Sequence, residues 1–186
     1  MADVHALLRQ ERDDELVTNC VIIGKSVHNE RIERFWSYLG MTYTKTYQDL
    51  FKDMVACGIL NLSNAFHIEC LRFCFMPVIQ SELQLVLETW NDHRIRKQTN
   101  QCIVGRPSFL YDCPEEYGAQ DQSKPVDRNL LNNCQEIFSI NLPEMGASDE
   151  FSEIALELML LHNLQLPSTL DDAMILFERL YELMEL

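Results

Sequence analysis

The run from His28 to Trp36, HNERIERFW, concentrates residue types that act on phosphate groups. On a helix, Asn29 and Glu33 lie one turn apart and share a face. A carboxylate at position 33, near the start of such a helix, is a ligand type for a hard divalent cation such as Mg2+. Arg31 and Arg34 flank it, and guanidinium forks suit phosphate oxygens. The same residues have a plainer reading. Glu30 and Arg34 are i, i+4 partners for a surface ion pair, and a Glu on an amphipathic helix ordinarily belongs to its solvated face. Spacing alone leaves both open.

Three further groups carry the same double reading. His67, Cys70 and Cys74 fall on one helical face and are zinc-ligand types, but no fourth ligand accompanies them, and half-buried helix residues look the same. His93, Arg94, Arg96 and Lys97 form a small basic patch, suited to phosphates or simply to the negative end of a helix dipole. Trp36 and Trp90 can stack on bases, but their helical spacing favours core positions. His5, His28 and His162 pair with no Ser or Cys base system.

The elements that position these residues follow from periodicity and caps. Residues 17–23, VTNCVII, read as a short buried strand ending at Gly24. A helix follows from about residue 27, capped by Ser26, with Ile32, Phe35, Trp36 and Leu39 as its apolar stripe and Gly40 ending or bending it. Residues 45–57 predict a helix closed by Gly58. Ser63 or Asn64 caps a long helix to about residue 90, with Ile68, Leu71, Phe75, Ile79, Val86 and Trp90 in register and a kink expected at Pro77. Residues 91–126 read as loop-rich, and 127–138 as one short helix. Two tail helices are predicted at about 149–163 and 169–185. Ile154, Leu158, Leu161 and Leu164 mark the first stripe, and Ala173, Leu176, Leu180 and Leu183 the second.

The 186 residues suffice for one compact core with a small appended unit. No apolar run reaches membrane-spanning length, and the N-terminus lacks a secretory h-region, so no membrane association is expected. Seven cysteines, an odd number without a CxxC pair, point to a reducing, intracellular compartment. Residues 1–109 carry a net charge of −1 and residues 110–186 carry −13. DNA phosphates are repelled by the second part, so any DNA contact belongs to the first, through residues 25–100. The acidic tail, 149–186, is a candidate surface for a protein partner or self-association, or packs on the chain's own core.

The strand, glycine turn and HNERIERFW helix together resemble the final catalytic helix of the integrase core, the family of retroviral integrases and related transposases. In its motif the third catalytic acid stands four residues after an Asn, as Glu33 follows Asn29. The resemblance continues through the helix ending in Trp90, Asn91, His93 and Arg96, through Gly105 and Pro107, and into CPEEYGAQDQSKPVD at 113–127. It is similar there to single-gene integrase-core proteins of animals and fungi.

The resemblance implies a ribonuclease H-like fold, DNA integration or transposition, nuclear location, and two-metal phosphoryl transfer with Mg2+ or Mn2+ held by two aspartates and a glutamate. Glu33 takes the glutamate's place. Asn29, Arg31, Arg34, His93, Arg94, Arg96 and Lys97 take places near nucleic acid. The residues before Glu33 show no strand series with a spaced Asp; Asp13 and Asp14 lie in a polar ERDDE run. One carboxylate cannot hold two ions.

The expectation is therefore a mainly α chain: a partial ribonuclease H-like α/β core with one short strand at 1–110, truncated relative to the family, a loop-rich connector at 111–148, and an acidic helical hairpin at 149–186. It is expected not to hold the metals or catalyse alone. The alternative is a non-catalytic, domesticated protein-interaction module.

Overall fold

A computed structural model describes residues 30–97, 104–120, 127–138 and 145–184. The order is α1 (Glu30–Leu39), a π-helical turn (Gly40–Thr44), α2 (Lys45–Ala56), α3 (Ala65–Asp92), α4 (Pro107–Asp112), a 3-10 turn (Pro114–Tyr117), α5 (Arg128–Phe138), α6 (Asp149–Leu161) and α7 (Leu170–Met184). The chain is mainly α, as expected. The strand expected at 17–23, its Gly24 turn, the Ser26 cap and Asn29 lie outside the described residues.

Local chemistry sets most helix ends. Asn64 caps α3, its side chain accepting from the Phe66 amide at 3.0 Å. Gly58 follows α2 with φ +76°, the left-handed backbone a helix stop requires. Thr169 and Asp172 cap α7 reciprocally: the Thr169 hydroxyl accepts from the Asp172 amide at 3.1 Å, and the Asp172 carboxylate accepts from the Thr169 amide at 3.0 Å. Those hydrogen bonds, with others from Ser168, hold the Asp172 carboxyl below its ordinary range.

Two compact units emerge, residues 1–34 with 111–141, and residues 35–110 with 142–186. In the first, Asp127 caps α5 by accepting from the Asn129 and Leu130 amides at 2.8 and 3.0 Å, and Cys134 is buried. The 3-10 turn starts at Pro114 and closes at Gly118, whose φ is +72°. The stretch read as loop-rich thus contains α4 and this turn, each opened by a proline that suits a first helical position.

The second unit holds the main core. α7 and α6 pack on α3, and α2 completes the cluster. Phe73, Cys74, Phe75 and Val78 of α3 meet Ala155 and Met159 of α6, Ala173, Leu176, Phe177 and Leu180 of α7, and Met54 of α2 in one buried cluster. Each large side chain buried this way contributes about 1.5–3 kcal/mol of transfer free energy. By length and composition α3 would also suffice to cross a membrane; here one side of it is the centre of this core. It continues through Pro77 without a break.

The first α-helix stops at Leu39, directly before Gly40 as expected, and the backbone passes through a π turn into α2. Two expectations are corrected in this unit. The expected stripe of Ile154, Leu158, Leu161 and Leu164 holds only in part: Leu158 and Leu164 pack against the core, Ile154 and Leu161 are exposed, and Phe151, Ala155 and Met159 face inward instead. Residues 151, 155 and 159 form an i, i+4 row, and its central alanine lets a neighbouring helix approach closely. Trp36, expected in the core, is 58 % exposed. The α7 stripe is as expected through Ala173, Leu176 and Leu180, with Phe177 added.

Candidate functional site

The C-terminal end of α3 carries the best-defined cluster of chemistry-bearing residues. Trp90 is near the last turn, and Phe35 meets it edge-on with ring centroids 5.1 Å apart. Tyr38 approaches the same indole at 5.5 Å, and His93 at 4.8 Å. Phe35 in turn touches Trp36 at 5.4 Å. Edge and tilted contacts of this kind suit the ring quadrupoles and give a stiff aromatic floor. The π turn and α2 adjoin it. Tyr43 packs on Tyr38, and Tyr47 donates to the Glu82 carboxylate of α3 at 2.8 Å. Burial, then that bond and the carboxylate's charge, push the Tyr47 phenol well above its usual range.

Beyond α3 the chain turns extended. His93 caps the helix, its Nδ1 in close contact with the Trp90 carbonyl. Ile95 then forms an isolated antiparallel bridge with Gly105, its amide donating to the Gly105 carbonyl at 2.7 Å. Beside the bridge, Arg106 donates to the Asp92 carboxylate at 2.9 Å. These two contacts pin the segment 93–97 to the segment 104–106. Arg94, Arg96 and Lys97 are exposed there and form no ion pair among the described residues. Three cations are thus displayed on a short extended segment at the end of a helix, where phosphate oxygens could meet them.

Each expected site residue has a definite place or lies outside the description. Glu33 and Arg34 are exposed on α1 and belong to the first unit. Arg31 lies in the first turn of that helix by its backbone. His93, Arg94, Arg96 and Lys97 are brought together in the second unit. Among the described residues, no three His, Cys, Asp or Glu side chains converge so as to hold a metal. Glu33 is exposed, and among the described residues no cluster of carboxylates converges with it, whereas a two-metal centre needs several converging oxygens.

His67, Cys70 and Cys74 are buried with partners of their own. The His67 Nδ1 accepts from the Asn61 amide at 3.2 Å and its ring packs on Tyr181 at 4.8 Å. The Cys70 thiol points to the Phe177 carbonyl, 3.9 Å away. A hydrogen bond with Cys70, then burial, raises the Cys74 thiol far above the usual range, whereas zinc binds thiolate.

Reasoning from sequence did not find Phe35, Tyr38 and Tyr43 as an aromatic floor, nor the Asp92–Arg106 pair. The signal available was the density of aromatics between residues 35 and 47 and the recurrence of Trp-Asn-x-His-x-x-Arg and Gly-x-Pro, whose two halves the Ile95–Gly105 bridge joins.

A protein-family model described as Integrase core domain matches residues 4–109, more than half of the chain. No curated protein and no solved structure matches it.

Proposed function

The chain belongs to the integrase core domain family, and from that premise we propose that it binds DNA as a member of machinery related to integration or transposition, without cutting DNA on its own. The single observation that carries the reading is the pinned, exposed cationic segment of Arg94, Arg96 and Lys97. Within the family the chain corresponds to the glutamate-bearing part of the core and is akin to the single-gene proteins of animals and fungi; acting on chromosomal DNA places it in the nucleus. Family chemistry is Mg2+- or Mn2+-dependent, and Glu33 is the position that contributes to it.

The test is DNA affinity against salt, followed by fluorescence anisotropy on a labelled duplex. Each phosphate neutralised adds roughly −0.9 to the slope of log K against log salt. Replacing Arg94, Arg96 and Lys97 with alanine should flatten that slope by about two to three. An unchanged slope sinks the reading. Nicking or strand transfer with Mn2+ that Glu33→Gln abolishes would overturn the non-catalytic part.

A second reading is favoured by one observation on the tail. Leu160 and Leu161 are 86 % and 77 % exposed at the end of α6, on a strongly acidic stretch. A protein partner or a second copy covering residues 149–186 would bury them. Leu160→Glu with Leu161→Glu should then convert any dimer seen in sizing to monomer without lowering DNA affinity.

A further inference from the structure

Trp36 is the residue whose position the core does not explain. Its spacing with Ile32, Phe35 and Leu39 is that of a buried stripe, yet more than half of its surface faces solvent. It is not loosely placed. Phe35 backs it at 5.4 Å, Trp90 backs Phe35 at 5.1 Å, and Trp90 is itself held by Tyr38 and His93 at 5.5 and 4.8 Å. A continuous aromatic path therefore runs from the exposed indole to the helix end from which Arg94, Arg96 and Lys97 emerge. The π turn at Gly40–Thr44 lies just beyond, and such turns recur where a helix is bent to functional use.

An exposed ring joined by that aromatic path to cations that form no ion pair among the described residues matches one ligand chemistry well. Duplex DNA presents phosphates and groove edges, whereas an unpaired strand presents phosphates together with free base faces. Indole stacking on a base is tolerant of sequence, and cations alongside track the backbone. We propose that Trp36 is a stacking platform for an unpaired base, so that this part of the protein takes single-stranded nucleic acid across the aromatic floor, its phosphates on Arg94, Arg96 and Lys97. The proposal rests on the nucleic-acid reading above and narrows its ligand to a strand with exposed bases.

The experiment titrates the full chain with a labelled oligothymidylate and, separately, with a duplex of the same length. Single-strand binding should quench tryptophan fluorescence. Trp36→Ala should weaken oligothymidylate binding roughly five- to hundredfold, while duplex binding changes less than about twofold because paired bases offer no free face. Trp36→Phe, which keeps a ring, should restore most of the affinity but lose the quenching. Circular dichroism of both variants should match the parent, since the side chain is mostly in solvent.

If the parent chain binds neither probe, the underlying nucleic-acid reading falls. If it binds both and Trp36→Ala leaves oligothymidylate affinity unchanged, or lowers both affinities equally, the stacking proposal alone falls. If the alanine variant misfolds, Trp36→Phe still decides: full affinity with quenching intact overturns the proposal.

Discussion

The amide of Ile95 donates to the carbonyl of Gly105 at 2.7 Å, closing a bridge between two segments ten residues apart. That one backbone contact, with the Arg106–Asp92 pair at 2.9 Å, presents Arg94, Arg96 and Lys97 as an extended edge. Both contacts lie outside the main buried cluster around Phe177. A net hydrogen bond is worth about 0.5–1.5 kcal/mol, and an exposed ion pair about 0–1 kcal/mol.

Ile95→Pro removes the donor and should open the bridge locally. Hydrogen exchange should accelerate over residues 94–97 and 104–106, with α7 unchanged. DNA affinity should fall with it, because the cations are then no longer held on one edge. Equal loss of protection in α7 would show that the bridge belongs to the core and that this account of it is wrong.

Gly146 presents a second, sharper test. Its φ is +74°, and a Cβ there would meet the Met76 Cγ at 2.9 Å and the Met76 Cβ at 3.0 Å. Gly146→Ala should therefore cost about 1–3 kcal/mol from backbone strain, plus the displacement of α3's Met76. Gly40→Ala is the control: its Cβ would meet nothing within 4 Å, on helical backbone. It should be neutral or stabilising by up to about 1 kcal/mol. Urea melts of the two variants should rank them in that order.

The Tyr47–Glu82 bond predicts an alkaline limb. In the folded chain burial and the carboxylate raise the Tyr47 pKa above its ordinary 10.0. The unfolded chain releases that proton near pH 10 while the folded chain keeps it, so folding binds more protons there. Stability is then fully present below about pH 10 and declines as pH rises past it. Tyr47→Phe should lose about 0.5–1.5 kcal/mol at neutral pH, the net worth of the bond, and should show a shallower decline between about pH 10 and 11.5. An equally steep decline in the variant would assign the limb to other tyrosines.

Much of the helical framework was determined by local sequence. Asn64, Gly58 and the Thr169–Asp172 pair end helices through contacts within a few residues, and the α7 stripe at positions 173, 176 and 180 is a pure 3.6-residue repeat. The basic run 93–97 was likewise legible, because exposed cations need no tertiary partner to be recognised. Glu33 and Asn29 stood out only through a motif, and the geometry around Glu33 depends on residues outside those described.

Only the tertiary structure decided which apolar faces are covered. α6 is apolar on more than one side, so its period could not say whether Ile154 and Leu161 or Ala155 and Met159 face inward; packing among α3, α6 and α7 chose the row with the small alanine. Trp36 shares a stripe with Phe35 and Leu39, yet it remains outside, because what a helix buries depends on what lies opposite. The Ile95–Gly105 bridge was invisible for the same reason: neither residue type announces a partner ten positions away, and pairing across that distance is settled by where α3 ends and α4 begins.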